Sequence, residues 1–429
     1  MTARWLLVFS AGLALMMGCA SPPVLARGSS DVAKVIEDVG ETLAANYVFA
    51  GETPAIMAQL QQRHSRGDYD RLGSADEIAQ ALSADLVEIT QDAHFSIRYS
   101  PDSGTAPAFD LDEAEAAARS NFGFRRVAVL PGNIGYIRID HFANPQLALG
   151  TATSAMQFVE NADALIFDLR DNQGGYNELG QIISSYLFDG EKDVLLYDFT
   201  YVEDGRQIER GHWVAGAVAG NRRPDIPVYV LVSAQTFSAG EWFAQSLSEL
   251  GRAIIVGERT AGAAHPVGLK RVNADLVMQV PVGVIRGPVT RGDFEGRGVD
   301  PQVAVPAHDA LDKAQLLALE TVDARNGSQR SAWFAPWLTA PPLTDPQVQA
   351  DMRAIVGAYE GRVVAREGAT LVYRWRERNA LTLIPLGDGL FGVEGTYDYR
   401  FRLVRSDSGV AALVREFEDG TQVTYDRKD

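Results

Sequence analysis

The 429-residue chain has a single cysteine, Cys19, so no disulfide can form within it. It has six histidines but neither a His-Glu-Xaa-Xaa-His pattern nor paired Cys/His spacing, which makes metal catalysis a poor fit. Positive charge is short: 39 Lys and Arg face 56 Asp and Glu, a net charge of -17 that repels nucleic-acid phosphates and an anionic bilayer. Nucleic acid is therefore not an expected partner. Walker and three-glycine dinucleotide patterns are missing too, so no cofactor is expected, and no internal repeat or low-complexity tract occurs.

What is present is the composition of an ordinary globular protein, 46% apolar and 22% charged, in a chain too long for one core. Two or three domains are expected. Arg4 followed by an apolar run over residues 5–17, too short to cross a bilayer, reads as a signal peptide within residues 1–26. Two cleavage sites stay open. Leu15-Met16-Met17-Gly18-Cys19 resembles a bacterial lipobox with Cys19 as the lipidated residue, and Val24-Leu25-Ala26 offers ordinary cleavage after Ala26. Either way an exported protein is expected, periplasmic or anchored to the envelope membrane through Cys19.

Residues 30–100 read as a helical domain. Val32, Val35, Ile36, Val39 and Leu43 share one face, and Ser74-Ala75-Asp76-Glu77 is a capping box ahead of Ile78, Leu82, Leu86 and Ile89. Residues 120–325 read as an α/β domain. Apolar runs at 127–130, 134–139, 164–169, 228–232, 253–256 and 276–285 are its strands, and those at 164 and 228 are apolar on both faces. Stripes at Leu179, Ile183 and Leu187, and at Trp242, Phe243 and Leu247, are helices between them; a helix near 311–321 ends the domain. Residues 326–346, with Pro336, Pro341, Pro342 and Pro346, read as a linker. Residues 347–429 alternate apolar and charged residues, as in Leu371-Val372-Tyr373-Arg374-Trp375-Arg376, and read as a small antiparallel β domain without chemistry of its own.

Two segments could carry chemistry. Thr236-Phe237-Ser238-Ala239-Gly240-Glu241 leaves a buried strand and opens a helix, where free N–H groups and the helix dipole favour an oxyanion beside Ser238. A helix-capping serine is the plainer reading of this segment alone. Asp168-Leu169-Arg170-Asp171-Asn172-Gln173-Gly174-Gly175 turns through paired glycines, which let backbone donors approach a bound group.

Together with Gly257-Glu258-Arg259-Thr260-Ala261-Gly262 and Arg297-Gly298-Val299-Asp300-Pro301, these segments resemble the carboxyl-terminal-processing serine peptidases over roughly residues 30–320. The resemblance implies a crotonase- or ClpP-like core, a spiral of ββα units, acting on peptide or protein substrates. It selects Ser238, three residues before Glu241, as nucleophile and excludes Ser233. The family's lysine base falls at Ala263, so the base must come from elsewhere. The tricorn-core branch, which the chain also resembles, takes a histidine from its N-terminal part and a glutamate after the serine. Here these are His94, in Gln91-Asp92-Ala93-His94-Phe95, and Glu295, with His265 as the competing base. Ala93 stands where that branch has a serine, which leaves Ser96 or Glu295 to orient His94. The resemblance places Ala239 with Gly174 or Gly175 at the oxyanion. No insert large enough for a PDZ module separates His94 from residue 127. The same N-terminal part also resembles modules of interphotoreceptor retinoid-binding protein, which implies a non-catalytic holder of hydrophobic ligands as the alternative.

Overall fold

The structure, a computed structural model, describes residues 29–92, 94–100, 111–203, 206–376, 380–407 and 409–428. Cys19 and both cleavage sites lie outside the described residues. The chain divides into two compact units, the first made of residues up to 105 with 202–206 and 267–282, the second of the rest.

The first unit has helices Ser29–Asn46, Thr53–Ser65 and Ala75–Thr90. The capping box forms as its residue types require: the Glu77 N–H donates to Ser74 Oγ at 3.2 Å, and the Ser74 N–H donates back to Glu77 Oε2 at 3.1 Å. Val39, Leu43, Leu60, Leu82 and Leu86 are fully buried where the three apolar stripes meet. Strand Ser96–Tyr99 pairs antiparallel with Leu276–Pro281, which pairs with Val267–Arg271, so a hairpin from far along the chain completes this unit. The apolar run at 276–285 is therefore two strands. The first ends at Pro281, which has no N–H to continue a ladder, and the second, Gly283–Arg286, pairs with Leu195–Glu203 in another sheet.

The second unit is organised by a six-stranded sheet in the order Val303–Ala304, Ile254–Gly257, Val228–Val232, Ala164–Asp168, Ile134–Ile139, Phe124–Leu130. Only the last pair is antiparallel. The uniformly apolar central strands feed two cores. Leu165, Phe167, Val228, Val230 and Val232 pack under helices Pro145–Phe158, Asn177–Ser185 and Ala239–Glu249. Ala164, Ile166, Tyr229 and Leu231 face the helix Ala310–Asn326. Alternate side chains of a strand point to opposite faces, and each large apolar side chain buried contributes about 1.5–3 kcal/mol, so burial on both sides fixes the register of these strands. The arrangement is the covered α/β sheet expected, a mixed central sheet with helices on both faces.

Residues 330–338 lie in the stretch read as linker, yet they form a helix, Arg330–Leu338. The reason is burial: Trp333 and Phe334 join the core of the sheet's second face, and that outweighs the break Pro336 would otherwise impose. The C-terminal residues form an eight-stranded antiparallel meander from Gly357–Tyr359 to Gln422–Asp426. The Trp333 indole donates to the Tyr397 carbonyl at 3.0 Å, and Arg400 stacks 4.4 Å over the Trp333 ring, which ties the meander to that helix.

At the end of the central strand, Asp168 is 2% exposed and accepts from the Tyr136 hydroxyl at 2.6 Å and from Arg170 Nη2 at 2.7 Å. Burial alone would raise its carboxyl, but the Arg170 and Tyr136 bonds outweigh that and hold it below the usual aspartate range. A carboxylate with a depressed folded pKa stabilises the fold above its unfolded pKa and loses that contribution as pH falls through the folded value. Asp168→Asn is expected to lower the unfolding free energy by about 2–4 kcal/mol at neutral pH. The deficit begins to shrink below about pH 4, where the unfolded wild-type chain takes up the proton, and is gone once the native carboxyl protonates at lower pH. Urea unfolding at both pH values measures it.

Candidate active site

The buried strand Val228–Val232 delivers the serine turn. Thr236, fully buried, locks that turn to the neighbouring strand end: its hydroxyl donates to the Leu169 carbonyl at 2.8 Å and accepts from the Ser233 N–H at 2.9 Å. Ser238 then adopts φ 49°, ψ -117°, a region that L residues enter at a cost of about 1–3 kcal/mol. The chain reverses there within one residue and starts the helix Ala239–Glu249, leaving Ser238 partly exposed at its tip.

Asn172 joins the two chemical segments. Fully buried, its Nδ2 donates to the Ile139 carbonyl at 2.9 Å, its carbonyl accepts from the Phe237 N–H at 2.9 Å, and its Oδ1 accepts from the Gly174 N–H at 2.8 Å. Gly174 has φ 85°, and a Cβ there would stand 2.8 Å from Ser238 Cβ; at Gly175, with φ 120°, it would stand 2.1 Å from the Phe142 carbonyl oxygen. Only glycines fit this approach. Of the two glycine donors considered for an oxyanion, that of Gly174 is thus already taken by Asn172. The N–H groups of Gly175 and Ala239 make no hydrogen bond among the described residues.

Glu241, fully buried, accepts four bonds: from the Ser238 N–H at 2.9 Å, the Thr260 hydroxyl at 2.5 Å, the Gly262 N–H at 2.7 Å and the Ala263 N–H at 2.9 Å. Burial pushes this carboxyl above its ordinary range, and the four donors pull against that. Sequence reading used Glu241 only as a marker for the serine; its place one helical turn later, facing inward, was the available signal. Glu295 Oε2 accepts from the Ala264 N–H at 2.7 Å and the His265 N–H at 3.2 Å, and lies 3.7 Å from His265 Nδ1. His265 is 8% exposed, with its Nε2 3.9 Å from Asp293. The second unit therefore brings His265 and Glu295 together.

His94 belongs to the first unit. Its Nδ1 lies 2.8 Å from Asp92 Oδ1, which also accepts the His94 N–H at 2.8 Å, and Gln279 Nε2 donates to its carbonyl at 2.9 Å. An ionised carboxylate only accepts, so Nδ1 carries a proton in this contact. Asp92 is buried and is the orienting group that sequence reading did not single out. An Asp two residues before a His, at the exit of a helix, was the signal.

Glu241→Gln keeps the shape but turns one acceptor into a donor facing N–H groups. Expected is a loss of about 2–4 kcal/mol of stability, with faster hydrogen exchange at the amides of Ser238, Gly262 and Ala263. Unchanged exchange at those three would show that the carboxylate does not hold them.

Comparison with known proteins follows the same segments. Residues 133–305 match the model of peptidase family S41, and residues 25–122 match the N-terminal domain of peptidase S41 in eukaryotic interphotoreceptor retinoid-binding protein. A carboxyl-terminal-processing protease of Picosynechococcus is 30% identical over 174 residues, 40% of this chain and 39% of that protein. Carboxyl-terminal-processing peptidase 1 of Arabidopsis thaliana is 31% identical over 184 residues, 42% of this chain and 35% of its own length. The matched stretch thus spans well under half of either relative. Among solved structures, the photosystem II D1 C-terminal processing protease is similar at a TM-score of 0.42 and 16% identity, covering 65% of this chain and 94% of that one. With both family models matched, together over more than half its length, the chain belongs to peptidase family S41.

Proposed function

We propose that this chain is a serine peptidase that hydrolyses peptide bonds in peptide or protein substrates, with Ser238 as nucleophile. The observation that carries the reading is the strained turn at Ser238, flanked by the two uncommitted N–H groups of Ala239 and Gly175. Strain of this kind is stable only where surrounding bonds enforce it, and here Thr236, Asn172 and Glu241 do so.

In this mechanism His94, neutral and oriented by Asp92, takes the hydroxyl proton at Nε2 while Ser238 Oγ attacks the substrate carbonyl. Negative charge developing on the carbonyl oxygen is met by the Ala239 and Gly175 N–H groups and the positive end of the helix that Ala239 opens. The imidazolium gives its proton to the leaving amine, then deprotonates the water that releases the acyl group. Glu295 supports the site by holding the 264–265 segment. His265 is the alternative base. The Asp92 contact favours His94, because a 2.8 Å bond to a buried carboxylate fixes the tautomer a general base needs. Export, with lipidation at Cys19 or cleavage after Ala26, belongs to the same proposal and rests on residues 1–26.

A fluorophosphonate probe is expected to label the wild-type chain but not Ser238→Ala. His94→Ala is expected to abolish labelling and His265→Ala to spare it; the reverse outcome moves the base to His265. A correctly folded wild type that takes no label would sink the hydrolytic reading and favour a holder of hydrophobic ligands.

Asp92→Asn is expected to cut peptide turnover by about a thousandfold or more, by releasing the wrong tautomer, with little change in KM. Steady-state kinetics on a peptide substrate would measure this, and an unchanged kcat would remove Asp92 from the machinery.

A further inference from the structure

The C-terminal meander closes on itself. Tyr359 bridges Arg427, the Lys428 N–H donates to the Ala358 carbonyl at 2.9 Å, and the Glu360 N–H reaches the Asp426 carbonyl at 3.3 Å, so the first strand meets the last. Alternation sends Val364, Tyr373, Phe401 and Leu413 inward. Helix Pro346–Ala354 sits at one end, where Asp351 accepts from the Gly389 N–H at 2.9 Å and from Arg405 at 2.6 Å.

At the other end the same inward parity brings in two arginines. Arg362 lies in register with Trp375 and stacks 3.6 Å over the Tyr425 ring and 5.3 Å from the Trp375 ring. Arg415 lies in register with Val423 and stacks 3.8 Å over Tyr399 and 4.6 Å from Phe417. Tyr425, under Arg362, and Val423, opposite Arg415, stand two residues apart on one face of the last strand, which brings both arginines to the same end of the barrel.

Four arginines of this barrel have carboxylate partners, Arg374 with Glu367, Arg400 and Arg402 with Glu416, and Arg405 with Asp351, while Arg366 and Arg427 donate to backbone carbonyls. Arg362 and Arg415 have no carboxylate partner among the described residues; Arg362 Nη1 donates to the Glu360 carbonyl, but the Nε of each arginine is buried without an acceptor. A guanidinium carries five donors and no acceptor, and in a chain of net charge -17 two guanidiniums without a carboxylate partner, each with a buried unsatisfied Nε among aromatic faces, leave room for an anion. Trp375 and Phe417 are half-buried there and Val423 is 40% exposed, so the anion's carrier would meet apolar surface.

We propose that this end of the barrel binds a carboxylate borne on an apolar body, the charge taken by Arg362 and Arg415 and the body by the surrounding rings. Two sources share that chemistry, the C-terminal residue of a peptide and the head of a fatty acid. Calorimetric titration of the full chain with N-acetyl-phenylalanyl-leucine, its C-terminal amide, decanoate and decanol separates them. At least one acid is expected to bind saturably and about tenfold or more tighter than its uncharged analogue, and the tighter acid names the source. Arg362→Gln and Arg415→Gln, each checked for folding by circular dichroism, are expected to lose about tenfold or more, while fluorophosphonate labelling at Ser238 is unchanged. No saturable binding of either acid, equal binding of acid and analogue, or wild-type affinity in both folded variants would overturn the proposal.

Discussion

One buried carboxylate holds the candidate active site in shape. Glu241 sits at the start of a helix, and its two oxygens divide their work: Oε2 holds the serine turn and the Ala263 N–H, Oε1 holds Thr260 and Gly262. An isolated carboxylate at that depth would be severely penalised, and only the convergence of four donors offsets the loss of water. The dependence is mutual. The donors belong to two turns whose backbone would otherwise be left unsatisfied, so neither turn can relax without exposing the charge. Such a tie is all-or-none, which suits a residue held at φ 49°.

The sheet explains why these turns meet at all. Strands Ala164–Asp168 and Val228–Val232 are parallel neighbours, so their carboxyl ends open at the same edge, and the glycine turn and serine turn leave from adjacent positions. Both strands are buried on both faces, which prevents slippage by a residue. A slip would exchange the two cores and move Ser238 out of reach of Gly174, whose missing Cβ is what permits the contact.

How much of this was legible in the sequence follows from which interactions are local. The two-faced apolar strands and the Ser74 capping box are written in neighbouring residues, and both emerge as read. Helix Pro145–Phe158 was not read, because its buried positions Ala148, Ala152 and Ala155 are too small to raise a stripe above its Thr, Ser and Gly neighbours. Helix Arg330–Leu338 was hidden by its proline and revealed only by the surface it covers. The hairpin 267–281 completes a unit whose helices lie nearly 200 residues earlier, and no local pattern announces such pairing. At the site, Ser238, Gly174 and Gly175 could be picked from turn chemistry. The commitment of the Gly174 N–H to Asn172, and of Asp92 to His94, depends on side-chain geometry that spacing only permits.

The segment around Ala263 shows a turn whose support does not depend on the side chain at that position. The resemblance puts a lysine base at this position, yet the bonds that hold the turn do not involve it. The N–H groups of Gly262 and Ala263 donate to Glu241, that of Ala264 to Glu295, that of Gly296 to the Gly262 carbonyl, and the Thr260 hydroxyl and Trp242 indole add side-chain donors. None of these bonds uses the side chain at 263, which points into buried space that an alanine fills at 5% exposure. Exchange of that side chain therefore leaves the serine turn's support intact. A base can then be recruited from another part of the chain, provided it brings its own orienting carboxylate. The Asp92–His94 pair meets that condition without help from the turn, because both its bonds lie within three residues of one another. Architecture here is maintained by main-chain bonds to buried carboxylates, and that leaves the identity of the proton acceptor free to change.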